Sequence, residues 1–399
     1  MNALHYVFAQ LARRPLQTVL SVLLLALGIG TLVFVLVLQD QMIRSLTRDA
    51  QGVDLVVGAK GSPLQLVLSA VYHVDVPTGN VPLAAVEQVR ANRLVTSAIP
   101  VALGDNHRGF RIVGTEPALI EHYGGKLAQG SLWNGRLQAV IGAEVARVTG
   151  LAPGARFLGA HGLAAEGPLH DDAEYLVVGV LAPSGTVLDR LLLTDLDSIW
   201  FVHEGDATDP VERRILQDER EVTAILVRYA APLAAAIVPR QINAEPKLMA
   251  AVPASELARL FSVVGVGIDA MRAFGLVLLA SALLALFVAL TNALEDRRYD
   301  IAILRLLGAS RIRVAGLLLL ESWLLAALAM LLGLGLGLAA VVAVGRALAQ
   351  ARSIPISPFD WPPEVVAVLG LAIAVATAAA VVPALRASRM RVHDALAQG

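Results

Sequence analysis

The sequence predicts an α-helical integral membrane protein with four transmembrane helices in a 1+3 arrangement and a large mixed α/β (α+β) domain between the first and second. Three observations carry this. Of 399 residues, 56% are hydrophobic and 16% charged, with a mean hydropathy of +0.67, a balance foreign to ordinary soluble domains. Four apolar runs reach the length of about 20 residues that spans the hydrocarbon core as a helix: Leu16–Leu38, Ala273–Leu294, Val314–Gly345 and Val365–Leu385. Between the first and second lie over two hundred residues of ordinary polar content, enough for a folded extramembrane domain.

Taken in order, residues 1–15 form an inner segment and 16–38 the first span. The stretch "ARRPLQTVLSVLLLALGIG" resembles a secretory signal, but its apolar core is long. "VLVLQDQMIRS" after it also has no small-x-small cleavage site, so a retained signal anchor is expected. Residues 39–253 form the intervening domain. "DLVVG", "GFRIVG", "QAVIG", "EYLVVGVL" and "VTAILVRY" read as strands and "PLAAVEQVRA" and "GAEVARVTG" as helices. "LAPGARF" and "LAPSGT" break the units, and "HEGDATDPVERR" reads as an exposed loop. The apolar "LQLVLSAVYHV" is too short to span; it reads as a buried helix, with a lipid-facing or cargo-receiving surface as the alternative. Residues 254–294 read as a stalk helix continuing into the second span, with Asp269 and Arg272 near the membrane surface. A loop over 295–313, a span over 314–345, a loop over 346–364, a span over 365–385 and a tail over 386–399 complete the chain.

Arginines set the expected orientation, because Lys and Arg in short flanking loops stay inside. Arg13, Arg14, Arg297, Arg298, Arg305, Arg311, Arg313, Arg386, Arg389 and Arg391 flank one side; Arg346 and Arg352 flank the other. Both termini are therefore expected inside and the large domain outside; in a bacterial inner membrane those sides are the cytoplasm and the periplasm.

Several chemistries find no support. With no cysteine there are no disulfides, thiolate metal sites or cysteine nucleophiles. A net charge of −1 without a clustered basic face argues against nucleic-acid binding. "GAKGSP" at 58–63 has P-loop ingredients in the wrong order, "HEGDA" at 203–207 has Ala207 where a zinc protease needs its second histidine, and no G-x-S-x-G occurs. No catalytic site is expected, and energy must come from a separate chain.

The stretch "RRYDIAILRLLGASRIRV" at 297–314 places a basic, glycine-interrupted helix between two apolar runs. Ile301, Leu304, Leu307 and Ile312 form an apolar stripe at helical spacing, and Gly308 can end the helix. Such a helix suits a partner's groove or an anionic lipid surface. In the third span, Gly333 and Gly337 make a G-x-x-x-G pair with Gly335 between them, a pattern for close helix contact either between protomers or within one. Glu321 is an intramembrane carboxylate that should face protein or water and lies within reach of a loop arginine. Six of the eight histidines fall in the large domain. His161, His170, Asp171 and His203 offer a zinc-type ligand set at undiagnostic spacing.

The chain resembles the MacB/FtsX/LolC-type (type VII, mechanotransmission) ABC transporter permeases. The inner-loop pattern is filled by Arg297, Arg298, Asp300, Ile301, Ala302, Ile303, Leu304, Arg305, Leu307, Gly308, Ala309 and Ser310; "LLLLESWLLA…LLGLGLGL" and "VVPALRASRM" also match. Asp300 stands where glutamate is commoner, and Leu306 where alanine is. The resemblance implies that 297–313 is a coupling helix docking on a cytoplasmic ABC ATPase, two copies of which bind ATP and magnesium. It also implies a second permease protomer, identical or different, and no cofactor in this chain itself. Cargo would be periplasmic or lipidic: a lipoprotein, lipid, peptide or drug. The alternatives are a transmitter that regulates a periplasmic partner protein, and a zinc-linked system, the latter because permeases with a similar "VVGAKGSPLQLVLSAVYHVDVPTGN" segment accompany zinc-responsive gene sets. A membrane-anchored structural or metal-binding protein is the class outside ABC machinery.

Overall fold

The structure is a computed structural model in which residues 3–162, 169–204, 216, 219–350, 357 and 359–389 are described. The chain forms two compact units: Met1–Ile43 with Val263–Gln350 and Ile354–Gly399, and Arg44–Ser262 with Ala351–Ser353. The N-terminal segment is itself a helix, α1 (Ala3–Ala12), with Val7 and Leu11 buried. A break at Arg13 precedes α2 (Pro15–Asp49), whose Pro15 occupies the first helical turn, where its missing N–H costs nothing. Helix α2 outlasts the 16–38 span by a further eleven residues, because "DQMIRSLTRD" stops being apolar without stopping being a good helix former.

The second unit is built on a ten-stranded sheet. Its strands are β1 (Leu55–Ala59), β3 (Val95–His107), β4 (Phe110–Thr115), β5 (Leu127–Gly130), β6 (Gln138–Ile141), β7 (Arg156–His161), β8 (Leu169–Leu181), β9 (Leu191–Asp195), β11 (Ala224–Tyr229) and β12 (Leu248–Ala251). The order is β12-β1-β11-β3-β4-β9-β6-β8-β5, with β7 pairing both β3 and β8. Among the described residues only β4–β9 and β6–β8 pair in parallel, so the sheet is mixed. A small ribbon joins β2 (Val81–Pro82) to β10 (Glu221–Val222). Helices α3 (Pro63–Ala70), α4 (Ala84–Arg90), α5 (Ala118–His122), α6 (Ala143–Thr149), α7 (Leu196–Glu204) and α8 (Ala234–Ala244) complete the unit. Its core is aliphatic: Leu55, Val57, Ile112, Ile141, Leu192 and Ile225 are buried in one cluster.

The strands and helices named from sequence in this unit are present; strands β2, β3, β5, β7, β9, β10 and β12 and helices α5, α7 and α8 are additional. Strand β3 contains Pro100, which one expects to exclude a central strand; Pro100 lies one residue beyond the last β3–β4 pair, Val101–Thr115. The β3–β4 turn takes positive φ at Arg108 (49°) and Gly109 (79°), as a two-residue hairpin of matching twist requires. Asn106 Oδ1 accepts from the Gly109 amide at 2.7 Å. Segment 63–73 is the buried alternative: Leu66, Val67, Ser69 and Ala70 of α3 face the interior, with Ser62 capping the helix. The "HEGDATDPVERR" loop falls almost wholly outside the described residues.

The remaining helices are α9 (Pro253–Asp296), α10 (Arg298–Leu306), α11 (Arg311–Gln350) and α12 (Glu364–Arg389). With α2, helices α9, α11 and α12 are long and apolar enough to cross a membrane. Small residues govern how the spans pack. A Cβ built on Gly28 would meet the Leu279 side chain at 2.8 Å, and one on Gly275 would meet Leu32 at 2.8 Å. Helix α2 thus lies tight against α9. Ala372, Ala376, Ala380, Ala384 and Ala387 are buried on one face of α12, and Thr377 Oγ1 there accepts from Trp323 Nε1 of α11 at 3.0 Å.

Candidate coupling site

Helix α10 carries the strongest sequence signal, and its local chemistry explains its shape. It starts after Arg297 and ends at Gly308, which takes φ +95°. The Ala309 amide donates to Leu304 O at 3.0 Å and the Gly308 amide to Arg305 O at 3.1 Å. That reciprocal pair satisfies the carbonyls a helix end leaves open, and it needs a left-handed residue best supplied by glycine. Helix α11 then starts at once, with Ser310 Oγ accepting from the Arg313 amide at 3.2 Å.

The expected apolar stripe divides: Leu307 and Ile312 are exposed, whereas Ile301 is buried and Leu304 half-buried. Ile301 is buried in a cluster with Leu294, Val314, Leu318, Ala384 and Ala387, so it roots α10 to the ends of α9, α11 and α12. Leu304 and Arg305 are half-buried. The exposed apolar residues are Leu306 (64%), Leu307 (80%) and Ile312 (84%), with Tyr299 and Ile303 beside them. A nine-residue helix has apolar residues on two faces here; periodicity alone finds both and cannot say which turns inward. Leu306, at a position where the family pattern commonly has alanine, is part of the outward tip. Gly308, Ala309 and Ser310 follow it in the chain, Asp300 in the first turn of α10 is exposed, and Arg298 and Ala309 are partly shielded.

Below the tip sits a buried ion pair. Arg297 Nη1 donates to Glu321 Oε2 at 2.9 Å and Nη2 to Oε1 at 3.3 Å; the residues are 8% and 5% exposed. A two-pronged guanidinium–carboxylate contact is the arrangement that best offsets the cost of burying both charges. It ties the first turn of α10 to the middle of α11. Beside it a cavity of about 20 Å³, with Gln10, Gln17, Thr18 and Ser21 among otherwise largely apolar walls, is large enough for one water. Arg14 pairs with Asp296 nearby.

The glycines divide. A Cβ on Gly333 would come within 2.8 Å of Ala26 O, and one on Gly337 within 2.8 Å of Gly30 O. Gly333 and Gly337 therefore seat α11 against α2 of the same chain, the second of the two contacts the motif allows. Gly335 has open space where its Cβ would be; two residues along a helix is the opposite side, so it takes no part in this packing. Glu321 is held by Arg297 and is not a packing residue.

The zinc-type set falls mostly outside the described side chains. The side chains of His161, His170 and Asp171 lie outside those described. Among the described residues no group of three or more His, Asp or Glu is placed to hold a metal ion. His203 ends α7, with Nε2 3.9 Å from Oδ1 of the fully buried Asp105. Asp105 pairs in register with His161 across β3 and β7. Sequence spacing could not single out Asp105, which is nearly a hundred residues from His203.

Four apolar spans, a mixed-sheet domain inserted after the first and a short rooted helix between the second and third define a polytopic membrane protein of the permease class. The sequence matches the MacB-like periplasmic core domain over residues 18–245 and the FtsX-like permease C-terminal domain over 272–392. The chain belongs to the MacB/FtsX-type ABC permease family. Among solved structures it is similar to the periplasmic region of MacB from Actinobacillus actinomycetemcomitans. That match has 10% identity and a TM-score of 0.34, covering 54% of this chain and 97% of that one. It is also similar to the extracellular domain of the noncanonic ABC-type transporter YknZ from Gram-positive bacteria, with 10% identity and a TM-score of 0.32, covering 49% and 98%. No curated protein matches.

Proposed function

We propose that this chain couples ATP binding and hydrolysis by two cytoplasmic ATPase subunits to movement of its periplasmic domain, driving export or extraction of periplasmic or lipidic cargo as one of two permease protomers. The observation that carries the reading is helix α10, rooted by Ile301 and the Arg297–Glu321 pair while its tip exposes Leu306 and Leu307 and the first turn of α11 exposes Ile312. Large aliphatic side chains exposed at the end of a short basic helix and in the turn that follows suit a protein groove. The arginine distribution supports a cytoplasmic position for that tip. Helices α2 and α9 run 35 and 44 residues without interruption, well beyond the roughly 20 needed to cross the bilayer. They supply stiff connections along which movement passes out of the membrane.

The test is copurification. Leu306→Glu/Leu307→Glu should lose the ATPase subunit while the chain still inserts and elutes as a single species, whereas Leu304→Ala should retain it. An ATPase that stays with the double variant would defeat the proposal. Labelling of a cysteine placed at Ser310 from the cytoplasmic side only is the accompanying requirement.

A further inference from the structure

A groove of about 510 Å³ opens beside the first turn of α10, between the end of α9 and the last turns of α12. We propose that it is a binding site for the headgroup of an anionic phospholipid. Among the described residues its polar lining is three guanidinium groups, from Arg298, Arg386 and Arg389, against one carboxylate, Glu295. Its apolar wall is Leu294, Val382 and Leu385.

Two features select this ligand. The charge surplus is positive and comes from separate helices, so the arginines converge on one space, unlike a single row of side chains reaching for water. The apolar wall is continuous with the outward surface of α12, where Val381, Val382 and Leu385 are exposed. A phosphate in the groove would therefore have its acyl chains already alongside a lipid-facing helix. Arg386 and Arg389 lie in the last turn of α12, a position from which long cationic side chains reach the headgroup level. Glu295 leaves room for a hydroxyl-bearing or otherwise donor-bearing headgroup, as a carboxylate accepts hydrogen bonds. The site is distinct from the tip at Leu306 and Leu307, and the inference does not depend on an ATPase docking there.

Native mass spectrometry of the full chain, extracted from vesicles of equal phosphatidylglycerol and phosphatidylcholine, reads the effect. Wild-type protein should retain phosphatidylglycerol with a preference on the order of tenfold, as arginines near a membrane surface supply. Arg386→Ala/Arg389→Ala should retain both lipids equally, while Arg346→Ala keeps the preference. Should the double alanine variant not fold, Val382→Trp fills the apolar wall and should lose the same lipid. Equal retention of both lipids by wild type, or an unchanged preference in these variants, overturns the proposal. Release of the lipid by millimolar inorganic phosphate would mark the site as one for a soluble anion and also overturn it. Loss of a copurifying ATPase with no change in lipid would assign the groove to that protein and overturn it equally.

Discussion

The membrane unit and the sheet unit are stabilised in opposite ways. In the sheet unit, large aliphatic side chains such as Ile112, Ile141 and Leu192 fill a core between strands and helices. In the membrane unit, contact between α2 and α11 depends on side chains that are missing: Gly333 and Gly337 bring backbones together at distances no Cβ tolerates. Lipid is as apolar as leucine, so spans gain from close packing and not from hiding grease. One unit should therefore fail when atoms are added and the other when atoms are removed.

The largest effect should come from Gly333→Leu, whose side chain has nowhere to go against Ala26 and Ile29. Complete loss of monodisperse protein in size-exclusion profiles is expected, with Gly335→Leu unaffected. Equal behaviour of the two variants would erase the contrast. Next comes Glu321→Leu, which strands the Arg297 charge. Removing one partner of a buried pair costs about 3–5 kcal/mol, and Arg297→Met/Glu321→Leu should recover much of the lost thermal stability. In the sheet unit, Ile112→Val removes one methylene from a fully buried side chain. The expected loss is about 0.5–1.5 kcal/mol by denaturant titration.

The smallest effect is on pH dependence. Burial, followed by the Arg111 and Arg190 charges, holds the His73 imidazole down at about 3 from its usual 6.5. Between those values the unfolded chain binds a proton the folded chain refuses, so stability falls as pH drops through that window. His73→Asn tolerates the residue's φ of 56° and should flatten the decline in melting temperature between pH 7 and pH 4. An unchanged slope would assign the decline to other groups.

Much of this was legible in the sequence, and the omissions have physical causes. Hydropathy located all four spans but ended α2 early, since it reports where lipid stops and not where hydrogen-bonded helix stops. Alternation located β1, β4, β6, β8 and β11. It missed β9, "LLLTD", because a run buried on both faces has no alternation to show, and β3 because Pro100 interrupts it. For the site, the 297–313 motif marked the helix and Glu321 was within reach of a loop arginine. Leu307 and Ile312 were legible as outward residues and Leu306 was not: whether Ile301 or Ile303 faces inward depends on where α9, α11 and α12 end, and no local pattern encodes that.

Ile301 and the Arg297–Glu321 contact clamp the beginning of α10, while Leu306 and Leu307 project from its far end. Because its far end runs through the Gly308–Ser310 turn straight into α11, α10 is held at both extremities, and a load on Leu306 and Leu307 would be shared between the Arg297 anchor and the opening turn of α11.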